Sequence, residues 1–183
     1  MDMSCMNLFA VGAIYVIMRI SEGIFGLMFA GITDRIGRRK SCLYFLPVNL
    51  LAQAVIIFST TYYGKLAGYI LYAASNTKIS LSFLIIFELV ESSKKPWCCT
   101  IVNTLDTMTM VVFGFYLLFI SKNWFPLCFS FLIIDCVALV VFAWAIPETP
   151  KWLLINGKID DAIDNLNYIA KFNGSANRIP KNA

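Results

Sequence analysis

The sequence predicts an all-α membrane protein of about five transmembrane helices followed by an amphipathic helix. Of its 183 residues 59% are apolar and 14% charged, against roughly a quarter charged in a soluble domain. Mean hydropathy is +0.73, and the apolar residues gather into five runs, each near the roughly 20 residues that cross a bilayer. This composition excludes a water-soluble monomer and makes the lipid bilayer the first partner. The bundle is expected over 1–150, and an inner-side helix with a polar tail over 151–183.

The first run, 8–32, follows Met1-Asp2-Met3-Ser4, which lacks the basic region of a signal peptide. The run is too long for a signal core and is followed by Arg35, Arg38, Arg39 and Lys40, so it is expected to span with its N-terminus outside. The next runs are 41–60, 66–90, 98–120 and 124–146, and five crossings place the C-terminus inside. Lys94 and Lys95 fall in a second inner loop, and Lys151, Lys158, Lys171, Arg178 and Lys181 follow the last run, whereas the opposite loops hold only Lys65 and Lys122. Eleven cations against two accounts for most of the formal charge of +4 as a positive-inside bias rather than a nucleic-acid surface. Tyr62, Tyr63, Trp97, Trp124, Phe125, Trp144 and Trp152 lie where runs meet water, as an interfacial belt requires.

Beyond Pro147, Ile159, Ala162, Ile163, Leu166, Ile169 and Ala170 recur at helical spacing. Asp160 and Asp161 stand in the first turn, Lys171 in the last, and Asn173-Gly174 supplies the stop, which together predict an amphipathic helix on the inner face. Asn173-Gly174-Ser175 fits the glycosylation pattern, but its inner location argues against use.

Histidine is absent, which removes imidazole acid–base chemistry, the common nucleophile pairs and His-ligated metals. Cys5, Cys42, Cys98, Cys99, Cys128 and Cys136 show no C-x-x-C spacing and are expected to be buried thiols. No phosphate-binding loop supports ATP-driven work. Neither an enzyme nor a cofactor is expected.

Five charges fall inside apolar runs, each costing about 2.5–3.5 kcal/mol at mid-bilayer on insertion scales. Arg19 and Glu22, at i, i+3, can neutralise one another. Lys78, Asp106 and Asp135 need partners, either Lys78 with one of the two carboxylates across helices or an open Asp135 attracting a cation. Glu88 is expected in an inner charge cluster with Lys94 and Lys95. Gly64 with Gly68, and Gly26 with Ala30, have the spacing of close helix packing.

The loop after the first run reads Ala30-Gly31-Ile32-Thr33-Asp34-Arg35-Ile36-Gly37-Arg38-Arg39-Lys40. Asp34 is expected to end one helix, the cations to open a tight turn, and Gly37 to supply backbone without side-chain bulk. The stretch resembles the major facilitator signature G-x-x-x-D-R-x-G-R-[RK], with Ala30 in place of the first glycine. Pro147-Glu148-Thr149-Pro150-Lys151-Trp152-Leu153-Leu154 resembles P-E-S-P-R-W-L, found after the sixth helix of sugar porters and of the organic cation, anion and carnitine transporters, and the following stretch is most similar to that organic-ion branch. The resemblance runs from the family's second helix to its central intracellular loop, so it implies part of an N-terminal major facilitator bundle. It also implies that Asp34 contacts a basic residue at the inner end of the next helix pair, with Lys94 and Lys95 as candidates. Glycines that the resemblance would place around Tyr72-Ala73-Ala74 are missing.

Fewer spans than a rocking carrier needs point to a truncated, non-transporting structural or accessory subunit held by other membrane subunits. The alternative is a partial organic cation or carnitine-type secondary carrier, completed by a partner chain or by oligomerisation, with an organic cation as solute. The resemblance implies the plasma membrane; a subunit of a larger complex would equally suit the mitochondrial inner membrane.

Overall fold

A computed structural model describes residues 8–175 and 178–180. The start at 1–7, with Cys5, and the end of the polar tail, with Lys181, lie outside the described residues.

Helix α1 (Leu8–Ile36) is followed by α2 (Arg38–Phe58), α3 (Tyr62–Ser75), α4 (Thr77–Leu89), α5 (Lys95–Phe115), α6 (Phe125–Ala145), α7 (Pro150–Ile155) and α8 (Ile159–Phe172). A π-helical turn, Tyr116–Ile120, extends α5. Five stretches are long and apolar enough to cross a membrane, with α3 and α4 together forming one of 28 residues. The strongly apolar runs leave helix as the way to satisfy the backbone in lipid.

The boundaries differ from the sequence expectation at informative places. Asp34 does not end α1; the helix continues through Arg35 and Ile36, and the whole reversal is made by Gly37 at φ 110°. Only glycine enters that backbone region without strain, so Arg38, Arg39 and Lys40 open α2 rather than forming a loop. The third run breaks at Asn76, where the polar sequence Ser75-Asn76-Thr77 interrupts the apolar run. The short α7, begun by Pro150 at its first position, was not expected, whereas α8 ends at the Asn173-Gly174 stop.

Helix α2 is the central element, packing against α3, α4 and α6, while α1 packs on α3. Cys42, Leu81 and Ile85 form a buried cluster from α2 and α4, covered by Phe45, Leu89, Phe142 and Ile146. Phe29 meets Phe45 edge-on at 5.0 Å. The close α2–α3 approach depends on Gly68, where an added Cβ would stand 2.7 Å from Ile56 Cγ1. The expected Gly26–Ala30 contact does not form, since Gly26 has nothing within 4 Å.

The expectation of buried thiols holds for Cys42 alone: Cys98, Cys99 and Cys128 are half-buried and Cys136 is exposed. These four sit on α5 and α6, which have no fully buried residues. Lys65 is not a loop cation either. It is buried in the first turn of α3 with its Nζ 4.7 Å from the Trp124 ring centre.

Candidate functional site

Two groups of polar side chains stand out, one at the end of the bundle where α1 meets α2, the other at mid-helix.

At the bundle end, the two motifs separated by more than a hundred residues close on one another. Arg38 donates from Nη1 to Asp34 Oδ1 at 2.7 Å and reaches Glu88 Oε1 from Nη2 at 3.5 Å. The Arg39 backbone N–H donates to Glu148 Oε1 at 2.9 Å, and Arg39 Nη2 donates to the carbonyl of Ala143 at 2.7 Å. Trp152 Nε1 donates to the carbonyl of Asp34 at 2.8 Å. Glu148 Oε2 lies against Gly37, where a Cβ would stand 2.7 Å from it. Helix α8 completes the arrangement through Asn165, which donates to the Glu148 carbonyl at 3.0 Å, and through Ala162, packed with Trp152 and Leu153. Pro147 leads into this contact; Pro150 is buried at the start of α7 and Lys151 faces out.

The local reasons follow helix chemistry. The last carbonyls of α1 and the first N–H groups of α2 have no intrahelical partners. Trp152 takes one of those carbonyls and Glu148 one of those N–H groups, the carboxylate sitting where the positive end of the α2 dipole favours it.

The expected contact of Asp34 with Lys94 or Lys95 does not form. With α1 running through Ile36, the Gly37 reversal returns Arg38 one turn from Asp34, and that nearer cation takes the carboxylate. Lys94 instead lies 3.9 Å from Glu91, both exposed. Glu88 pairs with Arg38, not with the two lysines. Among the described residues, Arg35 and Lys95 enter no ion pair.

At mid-helix, Arg19 and Glu22 pair at 2.9 Å, and Asn76 at the α3–α4 break donates to the other oxygen of Glu22. Asp135 of α6 is not open to a cation. Its Oδ2 accepts from Asn49 Nδ2 at 2.8 Å and Gln53 Nε2 at 2.5 Å, both on α2. Asn49 is 0% exposed and in turn accepts from the Ser75 hydroxyl at 3.3 Å. Sequence reasoning missed Asn49, Gln53 and Asn76. Amides in an apolar run that also carries unpaired charges elsewhere were the available signal.

Lys78 forms no ion pair with Asp106 or Asp135 among the described residues. Asp135 faces α2, where the amides hold it, and Lys78 rests with Nζ 5.7 Å from the Tyr72 ring centre. Lys78 and Asp106 nevertheless line one cavity of about 590 Å³, with Ser82, Asn103, Thr109 and an apolar remainder that includes Leu46, Phe83 and Phe142.

A helical membrane bundle whose first two spans are joined by a charged hinge, itself clasped by a short helix after the last span, has the construction of one part of a polytopic solute carrier. The comparisons agree with that class. The sequence matches the family described as sugar (and other) transporter over residues 7–181. It is 26% identical over 176 residues to the beta-alanine transporter of Drosophila melanogaster, covering 94% of this chain and 28% of that protein. It is 27% identical over 163 residues to solute carrier family 22 member 2 of Rattus norvegicus (86% of this chain, 28% of the relative). The identity is also 27% over 165 residues to solute carrier family 22 member 16 of Mus musculus (84% and 24%). The chain belongs to the sugar transporter family of the major facilitator superfamily, in its organic cation transporter branch. It spans about a quarter of the length of these relatives.

Proposed function

We propose that this chain supplies part of one half of a gradient-driven carrier for organic cations and related small charged solutes, with further helices completing the solute path. The basic end, from Arg35 to Lys40 and from Lys94 to Lys158, faces the inside, following the positive-inside bias; the family's habit favours the plasma membrane. In such carriers the solute lies near the midplane between bundles that rock against one another.

The observation that carries this reading is the division among the five charges at membrane depth. Arg19, Glu22 and Asp135 are held by other side chains of the bundle. Lys78 and Asp106 share a cavity without pairing, and an ionisable group left so in a membrane is functional by default.

A second reading, a non-transporting accessory subunit of a larger assembly, draws on α5. Thr100, Asn103, Thr104 and Thr107 form an exposed polar stripe at i, i+3, i+4, i+7, the kind of face on which another helix packs.

One experiment separates the two. The chain is extracted in gentle detergent with whatever subunits accompany it and reconstituted into liposomes. The carrier reading expects saturable tetraethylammonium uptake that Asp106→Asn lowers at least about tenfold. Co-extracted subunits in fixed ratio with no saturable uptake would favour the accessory role.

A further inference from the structure

We propose that Lys78 and Asp106 are the two poles of a binding site for a zwitterion, a small solute with an ammonium group at one end and a carboxylate at the other. The proposal rests on the carrier reading and specifies its solute.

The cavity they line is about 590 Å³, inside the roughly 300–1,000 Å³ typical of small-molecule sites. Most of its wall is apolar, so the polar groups it does hold decide what enters. A simple organic cation would be attracted by Asp106 and repelled by Lys78, while a simple anion would meet the opposite pair of forces. Only a solute carrying both charges satisfies both walls, and in a low-dielectric site the mismatch is felt more strongly than in water.

The other charged groups at this depth leave the pair to itself. Asp135 is bonded by Asn49 and Gln53, and Glu22 by Arg19 and Asn76, so neither carboxylate replaces Asp106 as partner for an ammonium. Lys78 projects from α4 and Asp106 from α5. Those two helices meet only lightly, which leaves room for a solute between the poles. Ser82, Asn103 and Thr109, in the same lining, offer neutral hydrogen bonds to the solute's polar ends. The apolar lining from Leu46 and Phe83 suits a methylene spacer between them.

The test is equilibrium binding to the purified full chain in lipid nanodiscs, with three probes of one skeleton: δ-aminovalerate, its methyl ester, which is a cation only, and its N-acetyl derivative, an anion only. The zwitterion should bind at least about tenfold tighter than either derivative. Lys78→Gln should erase the preference over the ester, Asp106→Asn the preference over the N-acetyl compound, and the exchange Lys78→Asp with Asp106→Lys should restore both. Thermal unfolding of each variant reports folding, and the exchange keeps the net charge should the single variants unfold. Ester bound as tightly as the zwitterion, or a zwitterion preference that survives Lys78→Gln, would overturn the proposal and leave the carrier reading standing. Failure of all three probes and of tetraethylammonium to bind would overturn both.

Discussion

The indole N–H of Trp152 and the carbonyl of Asp34, 118 positions apart, are joined by a 2.8 Å hydrogen bond. Asp34 lies in the last turn of α1, where carbonyls lack helical partners, so the bond lets α7 close the end of a membrane helix. Trp152 is 7% exposed. Trp152→Phe keeps most of the packing and loses the bond, with an expected cost of about 1 kcal/mol. Trp152→Ala loses both, for about 3–5 kcal/mol. Denaturant unfolding in detergent micelles measures the two, and equal losses would mean that the hydrogen bond contributes nothing of its own.

Arg38 holds a second junction. Its side chain is 14% exposed and that of Glu88 6%, so Arg38→Ala leaves a carboxylate buried without its cation, a loss of about 3–5 kcal/mol. Adding Glu88→Gln should recover much of it, because the uncompensated charge disappears. Arg38→Lys should fall between, since an ammonium has no planar fork with which to reach Asp34 and Glu88 together. The check is the order of the unfolding midpoints: wild type, then Lys, then the double variant and last Ala. A double variant no better than Arg38→Ala would show that charge burial is not the cause.

The spans and the amphipathic α8 were legible because long apolar runs and a helical period are local properties of the sequence. Both terminal motifs were legible as well, and Gly37 stood where a reversal was required. What the sequence hid were choices made between segments. Arg38, Lys94 and Lys95 all looked like partners for Asp34, and the one that takes it is decided by α1 continuing two residues further. Asp135 looked open because Asn49 and Gln53 lie more than 80 positions away. A polar residue's partner across a helix interface depends on rotation about the helix axis, which a hydropathy run does not record.

Asp135 should therefore behave as a clasp between α2 and α6. Removing the acceptor with Asp135→Ala leaves two amide donors without it, each worth about 1–3 kcal/mol if left unsatisfied. Asp135→Asn retains a carbonyl oxygen and should cost less. Asn49→Leu and Gln53→Leu, measured singly and with Asp135→Ala, should be non-additive by about 0.5–3 kcal/mol, the range for residues in one network. Additive losses would separate Asp135 from the amides. Because the carboxylate is already engaged, Asp135→Asn should leave solute binding within about twofold of wild type when the fold is intact.

Gly37 and Glu148 should be coupled in a way that divides backbone strain from collision. At φ 110°, Gly37→Ala carries a strain of about 1–3 kcal/mol. The new Cβ would also stand 2.7 Å from Glu148 Oε2 and 3.2 Å from Cδ. Relieving that collision moves the carboxylate whose other oxygen accepts from the Arg39 N–H, so the hinge would lose its clasp as well. In a Glu148→Ala background neither collision nor clasp remains, and Gly37→Ala should then cost only the strain. A double-mutant cycle read by unfolding free energy measures the difference. A Gly37→Ala cost that is the same in both backgrounds would mean that Glu148 yields freely, and that the hinge is fixed by the glycine's own backbone alone.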